Sequence, residues 1–196
     1  MLERLRSEAP TPVVIVSNSL DPLRVQRYDF SWTQHLPTDR PITLLIDDSH
    51  GFGVIGRDGA GILSEVTVPT GVRLVVVSSL GKALGVPGGM VLGPQTFVEQ
   101  LQRMAFFGAS SPIVPAYLDA FLQADPLYAE ARRQLTARVQ QFEAAVAPLG
   151  LFQSAADFPV FYTPVNTLYP FLEARDVLIS SFPYPTPTAP ASRMWC

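Results

Sequence analysis

With 196 residues, of which 47% are apolar and 16% charged, the chain has room for one domain, or for one domain and part of a second. Its net charge of −3 and the lack of a basic run argue against a nucleic-acid partner. Apolar runs such as residues 74–77 are too short to cross a bilayer, and the only cysteine, Cys196, cannot form an internal disulfide, so we predict a cytoplasmic protein that does not engage a membrane.

Four short apolar runs, mostly β-branched, occur in the first half of the chain, at residues 13–16, 42–46, 74–77 and 90–92. Continuous runs of this length are typical of strands buried on both faces, and polar or turn-forming residues follow each run at once. The pattern predicts an α/β fold with a mixed, mostly parallel sheet covered by helices. Ligands bind beyond the strand ends in such sheets, so we expect a functional site there.

The second half of the chain changes to helical spacing. Apolar residues recur at Phe97, Leu101, Met104 and Ala105, and a longer helix is predicted over residues 126–147. That helix is predicted to bury one apolar stripe, formed by Leu127, Ala131, Leu135, Val139, Phe142 and Val146.

The C-terminal part is predicted to form a small α+β piece. Strands are expected at residues 158–162 and 177–182, with a helix over residues 167–175 between them. The proline-rich residues 183–190 should form an extended surface segment. We therefore predict two domains, residues 1–125 as part of the large sheet domain and residues 126–196 as the connecting helix with a truncated small domain.

Two segments carry the chemistry, residues 44–56, which read LLIDDSHGFGVIG, and residues 77–85, which read VSSLGKALG. Asp47 ends one predicted strand, while Ser79 and Lys82 follow another. If these strands are parallel neighbours, the three residues lie along one rim, the edge of the sheet formed by the carboxyl ends of its strands. His50, three residues after Asp47, can turn toward the same rim. Pyridoxal phosphate needs an amine for its aldehyde, a carboxylate for its ring nitrogen, and hydroxyl and N–H groups for its phosphate. The spacing permits such a site.

These residues also allow simpler interpretations. A metal centre at residues 47–50 lacks a second cluster of ligands, because the other histidine, His35, lies apart in the sequence. A nucleotide-binding loop around Lys82 fails, since Val76 and Ala83 stand where the motif requires glycine and serine or threonine. An ordinary surface lysine and plain turn glycines remain the alternatives, and Phe106 with Phe107 fits core or subunit contact.

Residues 46–51 (IDDSHG) with 53–56 (GVIG), and residues 79–85 (SLGKALG) with the glycines 88–89, resemble the α-oxoamine synthases. That family includes 8-amino-7-oxononanoate synthase and glycine C-acetyltransferase, and it belongs to the pyridoxal-phosphate enzymes of the aminotransferase fold, fold type I. The resemblance is clear over residues 44–92 and weaker to about residue 193.

The resemblance implies a role for each matching residue. Lys82 would form the Schiff base with the cofactor and later shuttle a proton, Asp47 would pair with the pyridine nitrogen, His50 would contact the phenolic oxygen, and Ser79 would bind the phosphate. Ser19 is a weak match to a further family serine near the phenolic oxygen. The implied reaction condenses an amino acid with an acyl-CoA in a homodimer, and an aminotransferase of the same fold is the alternative.

The sequence also departs from the family pattern. Nothing before Val13 matches the family's ring-stacking residue or its glycine-containing phosphate loop, so we expect the N-terminal part of the fold to be missing. Arg193 matches the first of two family arginines, whereas Trp195 stands where the second would hold the substrate carboxylate. A non-catalytic or incomplete relative that acts by association is therefore a second hypothesis.

Overall fold

The computed structural model describes residues 1–7, 11–183 and 191–195. Its helices and strands, in chain order, are α1 (Leu2–Ser7), β1 (Val13–Asn18), β2 (Leu20–Asp21), β3 (Gln26–Arg27), β4 (Ile42–Asp47), β5 (Val72–Ser79), β6 (Gly89–Leu92), α2 (Gln95–Gln102), α3 (Ala105–Ala109), α4 (Pro115–Gln123), α5 (Asp125–Val146), β7 (Gln153–Ser154), β8 (Phe161–Thr163), α6 (Leu168–Glu173), β9 (Ser180–Pro183) and β10 (Ala191–Trp195). Short 3-10 helices occur at Ser31–His35, Arg57–Gly59, Gly61–Ser64 and Ala147–Leu149.

The four apolar runs of the first half form one sheet in the order β1-β4-β5-β6. β1, β4 and β5 are parallel, and β6 runs antiparallel to β5. The register pairs Ile42 with Val72 at one end of β4 and Asp47 with Val77 at the other. The predicted α/β class with a mixed, mostly parallel sheet is therefore confirmed.

The clusters that pack against β4 lie on one face of this sheet, and on the other face Val75 of β5 is also buried, at 1% exposed. Side chains alternate between the two faces of a strand, so Ile42, Leu44 and Ile46 of β4 share one face, and all three are at most 2% exposed. Phe30, Ile62 and Val76 pack with Leu44 and Ile46, and a neighbouring cluster joins Ile42 to other buried side chains, namely Leu5, Leu36 and Val72. The opposite face is open at β1, where Val14 and Val16 are 65% and 69% exposed.

The chain forms two units, Met1–Leu20 with Tyr28–Glu130, and Asp21–Arg27 with Ala131–Cys196. The second unit holds an antiparallel sheet in the order β7-β8-β10-β9. Within it, the Phe142 ring of α5 packs edge-on against Phe161, with the ring centroids 4.6 Å apart. The predicted division at residues 1–125 and 126–196 stays a prediction.

Two helix predictions differ from the structure. The helical spacing from Phe97 to Ala105 is interrupted, because α2 ends at Gln102 and Met104 adopts an extended backbone (ψ 146°) before α3 begins. The α5 helix forms where predicted, but none of its residues is buried, and Leu127 is 74% exposed. Periodicity identifies the apolar face of a helix, but not whether another element covers that face.

The C-terminal predictions are close but shifted. β8 begins at Phe161 instead of residue 158, because residues 158–160 are irregular, and β9 begins at Ser180 instead of residue 177. The helix predicted over residues 167–175 is α6. Of the proline-rich segment, residues 184–190 lie outside the described residues, as does Cys196. Arg193 and Trp195 lie on β10.

The buried face of the sheet should govern stability. Val76→Ala removes two methyl groups from a side chain that is 1% exposed, so we expect it to lower the free energy of unfolding by about 2 kcal/mol. Val16→Ala makes the same change on an exposed position of the same sheet, and should change it by less than about 0.5 kcal/mol. Chemical denaturation of both variants checks this, and equal losses would contradict the assigned faces.

Candidate active site

The rim beyond the carboxyl ends of β4 and β5 gathers the four residues singled out from the sequence. Asp47 is the last residue of β4, Ser79 is the last residue of β5, and Lys82 follows three residues later. Because the two strands are parallel, their carboxyl ends lie at the same edge of the sheet. His50 lies in the turn after β4. Asp47 is close enough to both Lys82 and His50 for their charges to act on it.

The Asp47 carboxylate is exposed and held by the turn that follows it. The Ser49 N–H donates to Asp47 Oδ1 at 2.9 Å. Partial burial raises the pKa of Asp47, but hydrogen bonds from the Ser49 hydroxyl and N–H, with the charges of Lys82 and His50, outweigh it and hold the pKa below its ordinary value. Asp47 is therefore ionised at neutral pH.

His50 is half-buried, and its surroundings favour the neutral form of the side chain, whereas those of Asp47 favour the charged form. Burial is the largest cause that lowers the pKa of His50, the Lys82 charge lowers it further, and the Asp47 charge opposes both. The imidazole is therefore neutral at neutral pH. A neutral imidazole has one nitrogen that donates a hydrogen bond and one that accepts.

Lys82 is exposed and is the only lysine in the sequence, because every other basic side chain except the two histidines is an arginine. If this position required only a positive charge, arginine would serve there as it does elsewhere in the chain. An amine can lose its proton and condense with a carbonyl, which a guanidinium cannot do under ordinary conditions. The lone lysine thus favours amine chemistry at this position over a simple surface charge.

A compact loop over residues 80–88 presents Lys82. Leu80, Leu84 and Val86 are buried together, and the Tyr128 hydroxyl donates to the Leu84 carbonyl at 2.8 Å. The Leu80 N–H donates to the carbonyl of residue 88 at 2.9 Å, and the Val86 N–H donates to that of Leu80 at 3.0 Å. The loop is therefore anchored on both sides of an exposed lysine.

Ser79, the last residue of β5, immediately precedes this loop. Its Oγ accepts a hydrogen bond from the N–H of Gly81 at 3.1 Å. An acceptor role does not use the hydroxyl proton, so the Ser79 O–H can still donate to an anionic oxygen.

Asp48 organises the loop after β4. This structural role was not predicted from the sequence. Asp48 is completely buried, and its Oδ2 accepts a hydrogen bond from the Ile62 N–H at 2.8 Å. A Cβ added to Gly51 or Gly61 would collide with the Asp48 carboxylate, so these two glycines leave the space that it fills. Residue alternation could have found Asp48, because two consecutive acids at a strand end point to opposite faces, and only one can face the rim.

The surroundings of Asp48 do not supply hydrogen bonds to both oxygens of its carboxylate. Among the described residues, neither its Oδ1 nor the buried Ser19 Oγ has a hydrogen-bond partner of good geometry. Burial raises the pKa of Asp48, the nearby Ser19 hydroxyl and the Ile62 N–H offset part of that rise, and the charges of Glu65 and Asp47 add to it. Ser19 thus lies against Asp48, and the weak match that would place it beside the cofactor's phenolic oxygen stays a prediction.

The described residues hold neither a metal-binding cluster nor a helix that could span a membrane. They contain no group of three or more histidine, cysteine, aspartate or glutamate side chains arranged to hold a metal ion. None of their helices combines the length and apolar character that a membrane span requires.

Comparison with known proteins decides the family. The model of the family "Aminotransferase class I and II" matches residues 34–177, which is most of the chain and includes both chemical segments. The chain belongs to this family.

Sequence relatives fall within the group that residues 44–56 and 77–85 resemble. An 8-amino-7-oxononanoate synthase of Methylococcus capsulatus is 30% identical over 164 residues, which cover 77% of this chain and 42% of that protein. A second one, of Dechloromonas aromatica, is 39% identical over 84 residues, covering 41% of this chain and 22% of that protein. The resemblance to α-oxoamine synthases is confirmed. The chain spans less than half the length of these relatives.

Solved structures show the same fold. The 8-amino-7-oxononanoate synthase of Francisella tularensis superposes with a TM-score of 0.71 at 21% identity, over 99% of this chain and 59% of that one. A serine palmitoyltransferase of S. paucimobilis, whose structure holds a pyridoxal phosphate–myriocin aldimine, superposes with a TM-score of 0.75 at 14% identity, over 99% and 52%. At this identity the superpositions establish the fold of a pyridoxal-phosphate enzyme.

The space around Asp48 can be tested through its glycine neighbours. Gly51→Ala places a methyl group against the buried carboxylate, so we expect it to lower the free energy of unfolding by roughly 1–3 kcal/mol. Gly108→Ala is the matched control, because it lies in α3 with open space around its Cβ, and alanine favours helix. Thermal and chemical unfolding of both variants measure the effect, and a Gly51→Ala protein as stable as wild type would contradict the packing.

Asp48 should also make stability depend on pH. Its pKa is raised in the folded state, so above its ordinary value of 3.8 the folded protein binds more protons than the unfolded chain, and stability falls as pH rises through that window. Asp48→Asn cannot titrate, so its stability relative to wild type should increase from about pH 4 to about pH 7. Unfolding free energies measured across that range check this, and a constant difference would show that the carboxyl has an ordinary pKa.

Proposed function

We propose that this chain carries the lysine-bearing part of a pyridoxal-phosphate-dependent transferase of the α-oxoamine synthase kind. The observation that carries the proposal is an ionised carboxylate, Asp47, on one rim with the only lysine, Lys82. The matching sequence relatives are named 8-amino-7-oxononanoate synthase, and the family model spans the two segments that supply both groups.

The groups on the rim fit this cofactor chemically. Asp47, whose pKa is low, suits a partner for a protonated ring nitrogen, and the Lys82 amine suits the aldehyde. Ser79 offers a hydroxyl proton for a phosphate oxygen, and neutral His50 can donate to or accept from the phenolic oxygen. Pyridoxal phosphate, when bound, supplies an electron sink for the charge left on a substrate carbon.

The chain's own residues then have separate tasks. The Asp47 carboxylate would stay ionised and keep the ring nitrogen protonated. Lys82 Nζ would hold the cofactor and could also move the proton of the substrate α-carbon. His50 would orient the phenolic side of the ring without adding a charge, and the anchored loop over residues 80–88 would restrict the positions open to Lys82.

The substrates that this proposal names are an amino acid and an acyl-CoA, and amino-group transfer is the alternative within the same family. We also propose that the protein is a homodimer and that it is cytoplasmic. The homodimer is supported by the large apolar surface of residues 104–127, where Phe106 is 81% and Leu122 is 66% exposed, because single soluble chains rarely leave such patches uncovered.

Cofactor attachment can be tested directly. Pyridoxal phosphate added to the purified protein should give visible absorbance that borohydride abolishes, and peptide mass spectrometry should find the reduced adduct on Lys82. Because the sequence has no other lysine, the only competing amine is the N-terminus. Lys82→Arg is the control, since it keeps the charge but cannot form the bond, and it should lose the absorbance.

The outcomes of this experiment separate the hypotheses. Labelling of the N-terminus alone, or equal absorbance in Lys82→Arg, would overturn the proposed function and favour a non-catalytic relative that acts by association. With the adduct on Lys82, release of coenzyme A thiol that depends on an amino acid supports acyl transfer. Amino-group transfer to a 2-oxo acid without thiol release supports the aminotransferase alternative.

A further inference from the structure

The Ser49 side chain lies between the two segments that carry the chemistry. Its Oγ accepts a hydrogen bond from the Ser79 N–H at 2.9 Å. The Ser49 N–H donates to the Asp47 carboxylate at 2.9 Å. One residue thus contacts both the acid at the end of β4 and the last residue of β5.

The strand geometry explains why a side chain is needed here. The Asp48 N–H donates to the Val77 carbonyl at 2.8 Å, and continuing this parallel ladder would pair the Ser79 N–H with the Asp48 carbonyl. The chain turns instead, and the Asp48 carbonyl accepts the N–H groups of Gly51 and Phe52 at 3.0 and 2.9 Å. The Ser79 N–H therefore needs another acceptor, and Ser49 Oγ provides it.

The two contacts use different groups of the same residue. Ser49 Oγ holds the Ser79 N–H, and the Ser49 N–H holds Asp47 Oδ1. A change in the position of Ser79 therefore acts on the residue whose backbone holds the carboxylate.

We propose that Ser49 is a positioning residue: its hydroxyl holds the start of the segment from Ser79 to Lys82, while its backbone N–H holds the Asp47 carboxylate. Its consequence for the cofactor rests on the proposed function: the distance between the acid that binds the ring nitrogen and the lysine that binds the aldehyde is set through this residue. The other charged or titratable groups acting on Asp47 are Lys82 and His50, and neither bridges to Ser79 through a described hydrogen bond.

The bridge through Ser49 can be tested without any cofactor. In Ser49→Ala, hydrogen exchange at the Ser79 amide should accelerate at least about fivefold, because the amide loses its acceptor. Carbon-13 NMR should show the pKa of Asp47 shifted upward, because the Ser49 side chain is one of the groups that lower it. Ser49→Thr keeps a hydroxyl and should restore both values. Ser17→Ala, on β1, is the control, because that hydroxyl donates only to the adjacent Asn18 carbonyl among the described contacts, and it should change neither value.

Unchanged Asp47 titration and unchanged Ser79 exchange in Ser49→Ala would overturn the proposal. Failure of Ser49→Thr to restore either value would also overturn it, since the effect would then not depend on the hydroxyl. Circular dichroism of each variant confirms that the fold is retained.

A second measurement addresses the cofactor. Titration with pyridoxal phosphate should show about tenfold weaker binding in Ser49→Ala than in wild type and Ser17→Ala. Equal affinity would overturn the positioning role toward the cofactor. If wild type failed to bind while the NMR results were as expected, the proposed function would fail and the bridge through Ser49 would stand.

Discussion

The site depends on the parallel pairing of β4 with β5. Six successive pairs, from Ile42 with Val72 to Asp47 with Val77, fix the register. Parallel strands end at the same edge of a sheet, so this pairing alone brings together the residues that follow β4 and those that follow β5. A slip by one residue would turn Asp47 to the opposite face and bring the buried side chains of β4 to the surface, so the packed core also protects the register of the site.

Two adjacent acids at the end of β4 have opposite environments. Asp47 is exposed, hydrogen-bonded and near a positive charge, which lowers its pKa, whereas burial raises the pKa of its neighbour Asp48. Asp48 gives shape to the loop through Ile62 and the space left by Gly51 and Gly61. The same residue type thus supplies a charged group to the rim and a structural group to the interior, and strand alternation makes that division possible.

Much of this could be predicted from the sequence, and the failures share a cause. The β-branched runs predicted all four strands of the first sheet, because strands buried in a sheet have an apolar pattern that depends little on their surroundings. The predicted burial of the α5 stripe failed, since it depends on what covers the helix. Asp48 and Ser49 were missed as structural residues because their partners, Ile62 and Ser79, are distant in sequence and become neighbours only through folding.

The charges on the rim are consistent with one another in a way that the motif alone does not reveal. A protonated His50 would compete for the negative charge of Asp47, but burial and the Lys82 charge keep the imidazole neutral. Lys82 therefore has two electrostatic effects: it stabilises the ionised Asp47 and discourages a second cation beside it. Because arginine at position 82 could produce both effects, the electrostatics do not by themselves account for the single lysine. What only lysine adds is an amine that can be deprotonated, and this requirement connects the charge arrangement to covalent chemistry.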